Sequence, residues 1–148
     1  MIKARQVARL LAFVLVLWTA LPGSMARAQE KIDVTTALSM AQSGEVLLLD
    51  IRTPREWKQT GISPLAVTLN MHSRTFGSDL MSLINSNRDR PIALMCATGY
   101  RSGYLSGIMQ EAGFSSIYDV TEGMLGSDAG PGWIDAGLPV VPYASQNN

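Results

Sequence analysis

One segment of the sequence combines a nucleophile with the features of an anion-binding loop. Cys96, the only cysteine in the chain, ends the apolar run 92–96, and a short loop containing Gly99 leads to a helical pattern that resumes near Arg101. In such a loop, successive backbone N–H groups can point at one centre, beside the positive end of the following helix dipole. These groups stabilise a thiolate, and a guanidinium at Arg101 adds to them. The segment therefore predicts a cysteine nucleophile beside an anion-binding loop.

Each of these residues also has a purely structural interpretation. Free cysteine is among the most buried residue types, so Cys96 could equally be the last apolar residue of its strand. Arg101 either binds an anion or is a solvated residue at the start of a helix, where a cation is poorly placed unless it faces an anion. The single histidine, His72, lies in a different segment, so a Cys–His pair does not follow from the sequence. Because of the loop that follows it, we interpret Cys96 as the nucleophile.

The sequence on either side of this loop predicts an α/β domain that positions it. Short apolar runs alternate with helical patterns, which predicts βα units around a mostly parallel sheet flanked by helices in three layers. The tail is expected to be a Gly- and Pro-rich loop, and Cys96 is expected at the C-terminal end of a central strand. The predicted strands are 46–50, 66–69, 92–96 and 117–120, and the predicted helices are 33–42, one starting at 53, 76–84 and 101–111.

The predicted strand 46–50 ends in a carboxylate, Asp50, close to the cation Arg52. The next helix has a capping box, in which Thr53 and Glu56 each satisfy a backbone donor, and Pro54 occupies the first helical position. Asp50 and Arg52 can form an ion pair or cap a loop. We therefore expect them to support the site structurally.

The N-terminus has the three parts of a secretory signal peptide. Residues 1–9 are cationic, residues 10–21 form an apolar run, and small residues at 26 and 28 predict cleavage before Gln29. The alternative is an uncleaved anchor, but this run is shorter than the roughly 20 apolar residues that span a bilayer. We therefore expect residues 1–28 to be removed, leaving an exported protein without a stable membrane anchor. In a bacterium, its location would be the periplasm.

Charge and cysteine count exclude several classes of protein. The 148 residues contain 12 Lys and Arg and 12 Asp and Glu, but four of these cations and no acids lie in residues 1–28. The remaining residues carry a net charge of −4 and have no basic run, which argues against a nucleic-acid partner. A single cysteine rules out a disulfide framework and a thiolate-rich metal site. The length suits one domain over residues 29–148, with its core over about 33–142.

Three motifs, in order and correctly spaced, resemble those of the rhodanese family of sulfurtransferases. Residues 96–102 (CATGYRS) are similar to the family's C-x-x-G-x-R-S active loop. Residues 48–57 (LLDIRTPREW) are similar to its D-x-R…E-aromatic signature, and residues 132–140 (GWIDAGLPV) to its C-terminal ending. The resemblance covers most of the domain and implies a rhodanese-like three-layer α/β fold.

The resemblance also implies a two-step sulfur transfer. The Cys96 thiolate would take sulfur from a small anionic donor such as thiosulfate, become a persulfide, and pass the sulfur to cyanide, a thiol or a protein cysteine. No metal or organic cofactor is implied. Asp50 and Arg52 would brace the fold near the loop, and the persulfide would be held by the backbone N–H groups of the loop, which comprises Ala97, Thr98, Gly99, Tyr100, Arg101 and Ser102.

Loop length separates sulfur transfer from phosphoryl transfer. Four residues lie between Cys96 and Arg101, whereas related phosphatases have five in a wider ring that fits a tetrahedral phosphate. A smaller ring suits a single sulfur atom. One alternative stays open, namely a non-catalytic or persulfide-relay module that uses the same loop to dock a protein partner.

Overall fold

A single parallel sheet carries the loop at its C-terminal edge. The computed structural model describes residues 29–144, so the predicted signal segment, residues 1–28, lies outside the described residues. All strand pairings are parallel, and the order β1-β5-β4-β2-β3 puts β4 at the centre. The elements are β1 (Glu30–Ile32), α1 (Val34–Gln42), β2 (Leu47–Asp50), α2 (Pro54–Thr60), β3 (Val67–Thr68), α3 (Phe76–Leu83), β4 (Ile92–Met95), α4 (Tyr100–Glu111), β5 (Ile117–Val120) and α5 (Gly132–Asp135).

Both faces of the sheet are covered, which confirms the predicted three-layer arrangement. Side chains alternate between the two faces of a strand. In β4, Ile92 and Leu94 pack in an apolar cluster with residues of α3 and α4, whereas Ala93 and Met95 pack in a second cluster with residues of α1 and α5. A strand that is buried on both faces has a continuous run of apolar residues in the sequence. For this reason β4 could be predicted from the sequence.

Local signals start two helices where the sequence predicted them. The Asp33 side chain caps α1 by accepting a hydrogen bond from the N–H of Thr36 at 2.7 Å. In α2 the capping box is complete, with the Thr53 hydroxyl accepting from the N–H of Glu56 and the Glu56 carboxylate accepting from the N–H of Thr53. Proline at the first turn of α2 adds a preset φ angle. The chain that leads from β2 into α2 is therefore tightly defined.

Two short elements differ from the sequence-based expectations. β1 was not predicted, because two of its three residues are charged and only its pairing with β5 makes it a strand. The tail, expected to be a loop, contains α5, which is held by Trp133, a buried residue whose indole donates to the carbonyl of Pro139. The expected strand 66–69 pairs only over Val67–Thr68. Every helix within residues 29–144 falls short of the length and apolar character that crossing a membrane requires.

Candidate active site

Cys96 is the first residue after the central strand β4, at the C-terminal edge of the sheet. It continues the alternation of Ile92 and Leu94 and therefore faces the layer that contains α4. The residue is 1% exposed. Its Sγ lies 3.5 Å from Oγ of Ser102, in the first turn of α4. The thiol thus sits at the base of the loop, under the start of the helix.

The loop after Cys96 is fixed by close packing against residues 121–125. The N–H of Met124 donates to the carbonyl of Cys96 at 2.9 Å, and that of Leu125 donates to the carbonyl of Ala97 at 2.8 Å. Gly99 has φ +81°, and a Cβ built there would lie 2.0 Å from the carbonyl oxygen of Thr121. Only glycine therefore fits at this position.

The backbone N–H groups of the loop are left free to bind a ligand. Among residues 29–144, no protein acceptor receives a hydrogen bond from an N–H of residues 97–102. The first N–H groups of any helix lack partners within the helix. Here the unpaired donors include the N–H groups of the first residues of α4. Together with the dipole of α4, unpaired backbone donors of this kind can bind an anion. This arrangement can stabilise a thiolate or a persulfide at Cys96.

Arg101 is bound by a carboxylate from another helix. Its Nη1 donates to Oε2 of Glu56 at 3.0 Å, and its Nη2 donates to Oε1 of the same carboxylate. The Arg101 guanidinium, helped by hydrogen bonds from Thr53, lowers the pKa of Glu56 to about 2. In return Glu56 raises the pKa of Arg101, with a smaller contribution from Cys96. Among residues 29–144, the other three guanidinium N–H groups have no acceptor.

Asp50 and Arg52 form a fully buried ion pair beneath the site. Nε and Nη2 of Arg52 donate to the Asp50 carboxylate at 2.6–3.1 Å, and both side chains have 0% exposure. The remaining guanidinium nitrogen, Nη1, donates to Oγ1 of Thr60, and Nη2 also donates to the carbonyl of Gly61. The pair therefore ties the end of β2 to the end of α2.

The open side of the loop is formed by residues that extend into solvent. Tyr100 is 83% exposed and Thr98 is also exposed. Further along α4, Tyr104 and Ile108 follow Tyr100 at intervals of four residues and are 64% and 44% exposed. His72 is exposed and lies in the segment between β3 and α3. A donor or acceptor molecule would approach Cys96 past Thr98 and Tyr100.

The sequence analysis missed two acidic residues near the loop. Glu56 was assigned only to the capping box, and its contact with Arg101, 45 residues away, has no local signal. Asp119 in β5 is 3% exposed and lies under the start of α4, where Gln29 donates to its Oδ2 at 3.4 Å. A signal for Asp119 did exist, because an interior strand of a three-layer fold is covered on both faces and a carboxylate within it must be buried.

Three comparisons with known proteins bear on this site. A sulfurtransferase of Allochromatium vinosum is 31% identical over 104 residues, which cover 69% of this chain and 84% of that protein. A thiosulfate sulfurtransferase of Vibrio cholerae is 28% identical over 109 residues, 74% of this chain and 92% of that protein. The polysulfide-sulfur transferase homodimer of Wolinella succinogenes has the same fold, with a TM-score of 0.57 at 22% identity, covering 83% of this chain and 86% of that one.

A sequence model of the family described as the Rhodanese-like domain matches residues 33–127. The match runs from the cap of α1 past the end of β5 and includes the whole Cys96 loop. Because it spans more than half of the chain, it assigns the family directly. The chain belongs to the rhodanese-like domain family.

Proposed function

We propose that this protein is an exported sulfurtransferase that moves sulfane sulfur from thiosulfate, or a similar small anionic donor, to a thiophilic acceptor. The observation that carries the proposal is the position of Cys96, buried at the base of a loop whose N–H groups at residues 97–102 have no acceptor among the described residues. A nucleophile and an anion site thus coincide at one place. The relatives from Allochromatium vinosum and Vibrio cholerae, named as sulfurtransferases, add support.

In the first step, the Cys96 thiolate attacks the outer sulfur of thiosulfate. A new S–S bond forms to Cys96, the S–S bond of thiosulfate breaks, and sulfite leaves with the electron pair. In the second step, cyanide, a thiol or a protein cysteine attacks the outer sulfur of the persulfide, and Cys96 leaves as a thiolate. Covalent catalysis of this kind divides one transfer into two easier ones.

The loop performs the electrostatic part of this reaction. Negative charge resides on sulfur in the thiolate, in the persulfide and in the donor, and the N–H groups of residues 97–102, which have no acceptor among the described residues, are available to stabilise it. The guanidinium of Arg101 adds positive charge, although Glu56 occupies two of its five donors. Binding of the anionic sulfur therefore rests first on backbone donors.

The mass of the intact protein before and after treatment with thiosulfate tests this proposal. A gain of roughly 32 Da, one sulfur atom, is expected on the wild type, and cyanide should remove it. Cys96→Ser is the matched control, because it changes one atom, and it should gain nothing. A reduced, folded wild-type protein that gains no sulfur from thiosulfate would contradict the proposed donor.

A second candidate is a persulfide relay that receives sulfur from a protein. The stripe formed by Tyr100, Tyr104 and Ile108 favours it, since these apolar side chains are exposed on α4 next to the loop. Competition between a protein persulfide donor and thiosulfate for Cys96 separates the two candidates. Loading by the protein donor alone, with no adduct from thiosulfate, would support the relay over the enzyme.

The periplasmic location is part of the proposal and rests on the sequence of residues 1–28. The intact mass of the protein recovered from cell fractions of a bacterial host tests it. We expect a periplasmic species that starts at Gln29. A full-length species in the membrane fraction would instead support an uncleaved anchor.

A further inference from the structure

A buried carboxylate shares a face of the sheet with Cys96 and has no part in the steps above. Asp119 lies in β5 opposite Leu94 of β4, two residues before Cys96. Ile117, which precedes Asp119 by two positions, belongs to the same apolar cluster as Cys96. Because side chains two residues apart on a strand share a face, Asp119 and Cys96 both point toward α4.

Ser102 is close to both groups. It is fully buried in the first turn of α4, its Oγ is 3.5 Å from Sγ of Cys96, and it donates to the carbonyl of Gly99 at 3.0 Å. Burial raises the pKa of Asp119, and the nearby Ser102 hydroxyl opposes that rise. A single hydroxyl thus contacts the sulfur on one side and influences the carboxyl on the other.

The hydrogen bonding of Asp119 is incomplete. Its Oδ2 accepts from Nε2 of Gln29 at 3.4 Å, whereas Oδ1 is buried and accepts from no donor among residues 29–144. It is energetically unfavourable to bury an ionised carboxylate when one of its oxygens has no hydrogen-bond donor. Two changes relieve it: Ser102 turns its hydroxyl toward Oδ1, or the carboxyl takes up a proton. Either change alters the hydrogen bond that Ser102 offers to Cys96.

We propose that Asp119 is a positioning residue for Cys96, and that the two share one proton through the Ser102 hydroxyl. In one state Cys96 is a thiol that donates to Ser102, and Ser102 donates to the Asp119 carboxylate. In the other state the thiol proton has passed to Ser102, the original Ser102 proton is on Oδ1 of Asp119, and Ser102 donates to the thiolate. One S–H bond breaks, one O–H bond forms on Asp119, and the net charge is unchanged.

The other charged groups near Cys96, Ser102 and Asp119 lie either beside Asp119 or beside Cys96. Lys31 of β1 is in register with Asp119 and lowers its pKa. On the side of Cys96 are Arg101, its partner Glu56, and Asp50. Within the described part of the chain, none of these four groups is hydrogen-bonded to Asp119 or to Cys96. Ser102, which contacts the sulfur and lowers the pKa of Asp119, is the side chain placed to connect the two.

Titration of the thiolate by its ultraviolet absorbance tests the proposal, with Cys96→Ser as the subtracted blank. Two groups that share a proton titrate in two macroscopic steps, and we expect these to lie more than about one pH unit apart with a plateau of thiolate between them. Asp119→Asn cannot take up the proton and should give one step. Asp119→Glu should keep two steps, as should Asp128→Asn, an exposed control. A single step in the wild type would overturn the proposal.

A second measurement needs no substitution that could disturb folding. The ¹³C resonance of the Asp119 carboxyl in the wild-type protein should shift over the same two steps as the thiolate absorbance. A carboxyl that titrates in one step, independently of the sulfur, would contradict proton sharing.

The inference rests on the proposed function only in taking Cys96 as a nucleophile, and the two can fail separately. A two-step titration without a thiosulfate adduct would overturn the proposed enzyme and leave the proton sharing intact. A thiosulfate adduct together with a one-step titration would overturn the proton sharing and leave the proposed enzyme intact.

Discussion

Arg101 of α4 and Glu56 of α2 form a two-point ion pair beside the Cys96 loop. The same Glu56 carboxylate accepts from the N–H and hydroxyl of Thr53, so one side chain both caps α2 and holds the start of α4. Arg101 follows Cys96 by five residues, which means that the pair anchors the far end of the loop to a second helix. The geometry of the anion site therefore depends on α2 as well as on the strand and helix that carry the loop.

A double-mutant cycle with Glu56→Gln and Arg101→Met should detect this coupling. Each single substitution should lower the free energy of unfolding by roughly 1–2 kcal/mol, since the pair is only about a quarter exposed and is bidentate. The double variant should lose less than the sum, with a coupling of about 1 kcal/mol, measured by urea denaturation. Strictly additive losses would mean that the ion pair does not stabilise the fold.

The same pair should make stability depend on acid pH. Because Arg101 and Thr53 hold the pKa of Glu56 at about 2, against 4.5 for the free group, its contribution is present above about pH 4.5. It is lost as the pH falls toward 2, where Glu56 becomes protonated in the folded protein. Glu56→Gln should therefore flatten the acid side of a plot of unfolding free energy against pH. An unchanged acid limb would contradict the lowered pKa.

Substitution of a residue in the buried pair Asp50–Arg52 should lower the free energy of unfolding far more than substitution of an exposed cation. Arg52→Met leaves Asp50 as an uncompensated buried charge and also removes the donors to Thr60 and Gly61, so a loss of about 3–5 kcal/mol is expected. Arg55→Met is the matched control, since Arg55 is exposed and three positions along the chain. It should change the unfolding free energy by less than about 0.5 kcal/mol. Similar small losses in both variants would remove Arg52 from the framework of the site.

Two glycines, one in the loop and one in the middle of α4, should respond in opposite ways to substitution by alanine. At Gly99 the φ of +81° and the carbonyl of Thr121 exclude a Cβ, so Gly99→Ala should cost at least about 1–3 kcal/mol and reduce persulfide formation. Gly107, in the middle of α4, has open space around it. Gly107→Ala should stabilise the protein by about 0.5–1 kcal/mol through helix propensity, with sulfur loading unchanged. Thermal denaturation and intact mass measure both effects, and full loading of Gly99→Ala would contradict the packing argument.

Local and periodic signals in the sequence were sufficient for the framework of the site. The apolar run before Cys96, the capping box at Thr53 and the glycine at position 99 each specify backbone conformation within a few residues, and the structure has these features. The contact of Arg101 with Glu56 could not be predicted in this way, because it depends on how two helices pack. Asp119 was recognisable as buried, but its position under Ser102 follows only from the pairing of β5 with β4.

Loop length itself can be tested by insertion. The four residues between Cys96 and Arg101 set the size of the ring of N–H groups, and one glycine inserted between Thr98 and Gly99 would widen it and move donors away from the sulfur. Displacement of a positioned group by about 1 Å can cost on the order of 10²-fold in rate, so a loss of that size in thiosulfate turnover is expected. A glycine inserted between Asp128 and Ala129, both exposed, is the control and should leave turnover unchanged. Because both insertions lengthen a surface segment by one residue, a difference between them reports on the ring and not on chain length. Full turnover with the widened loop would remove ring size as the basis for preferring sulfur to phosphate.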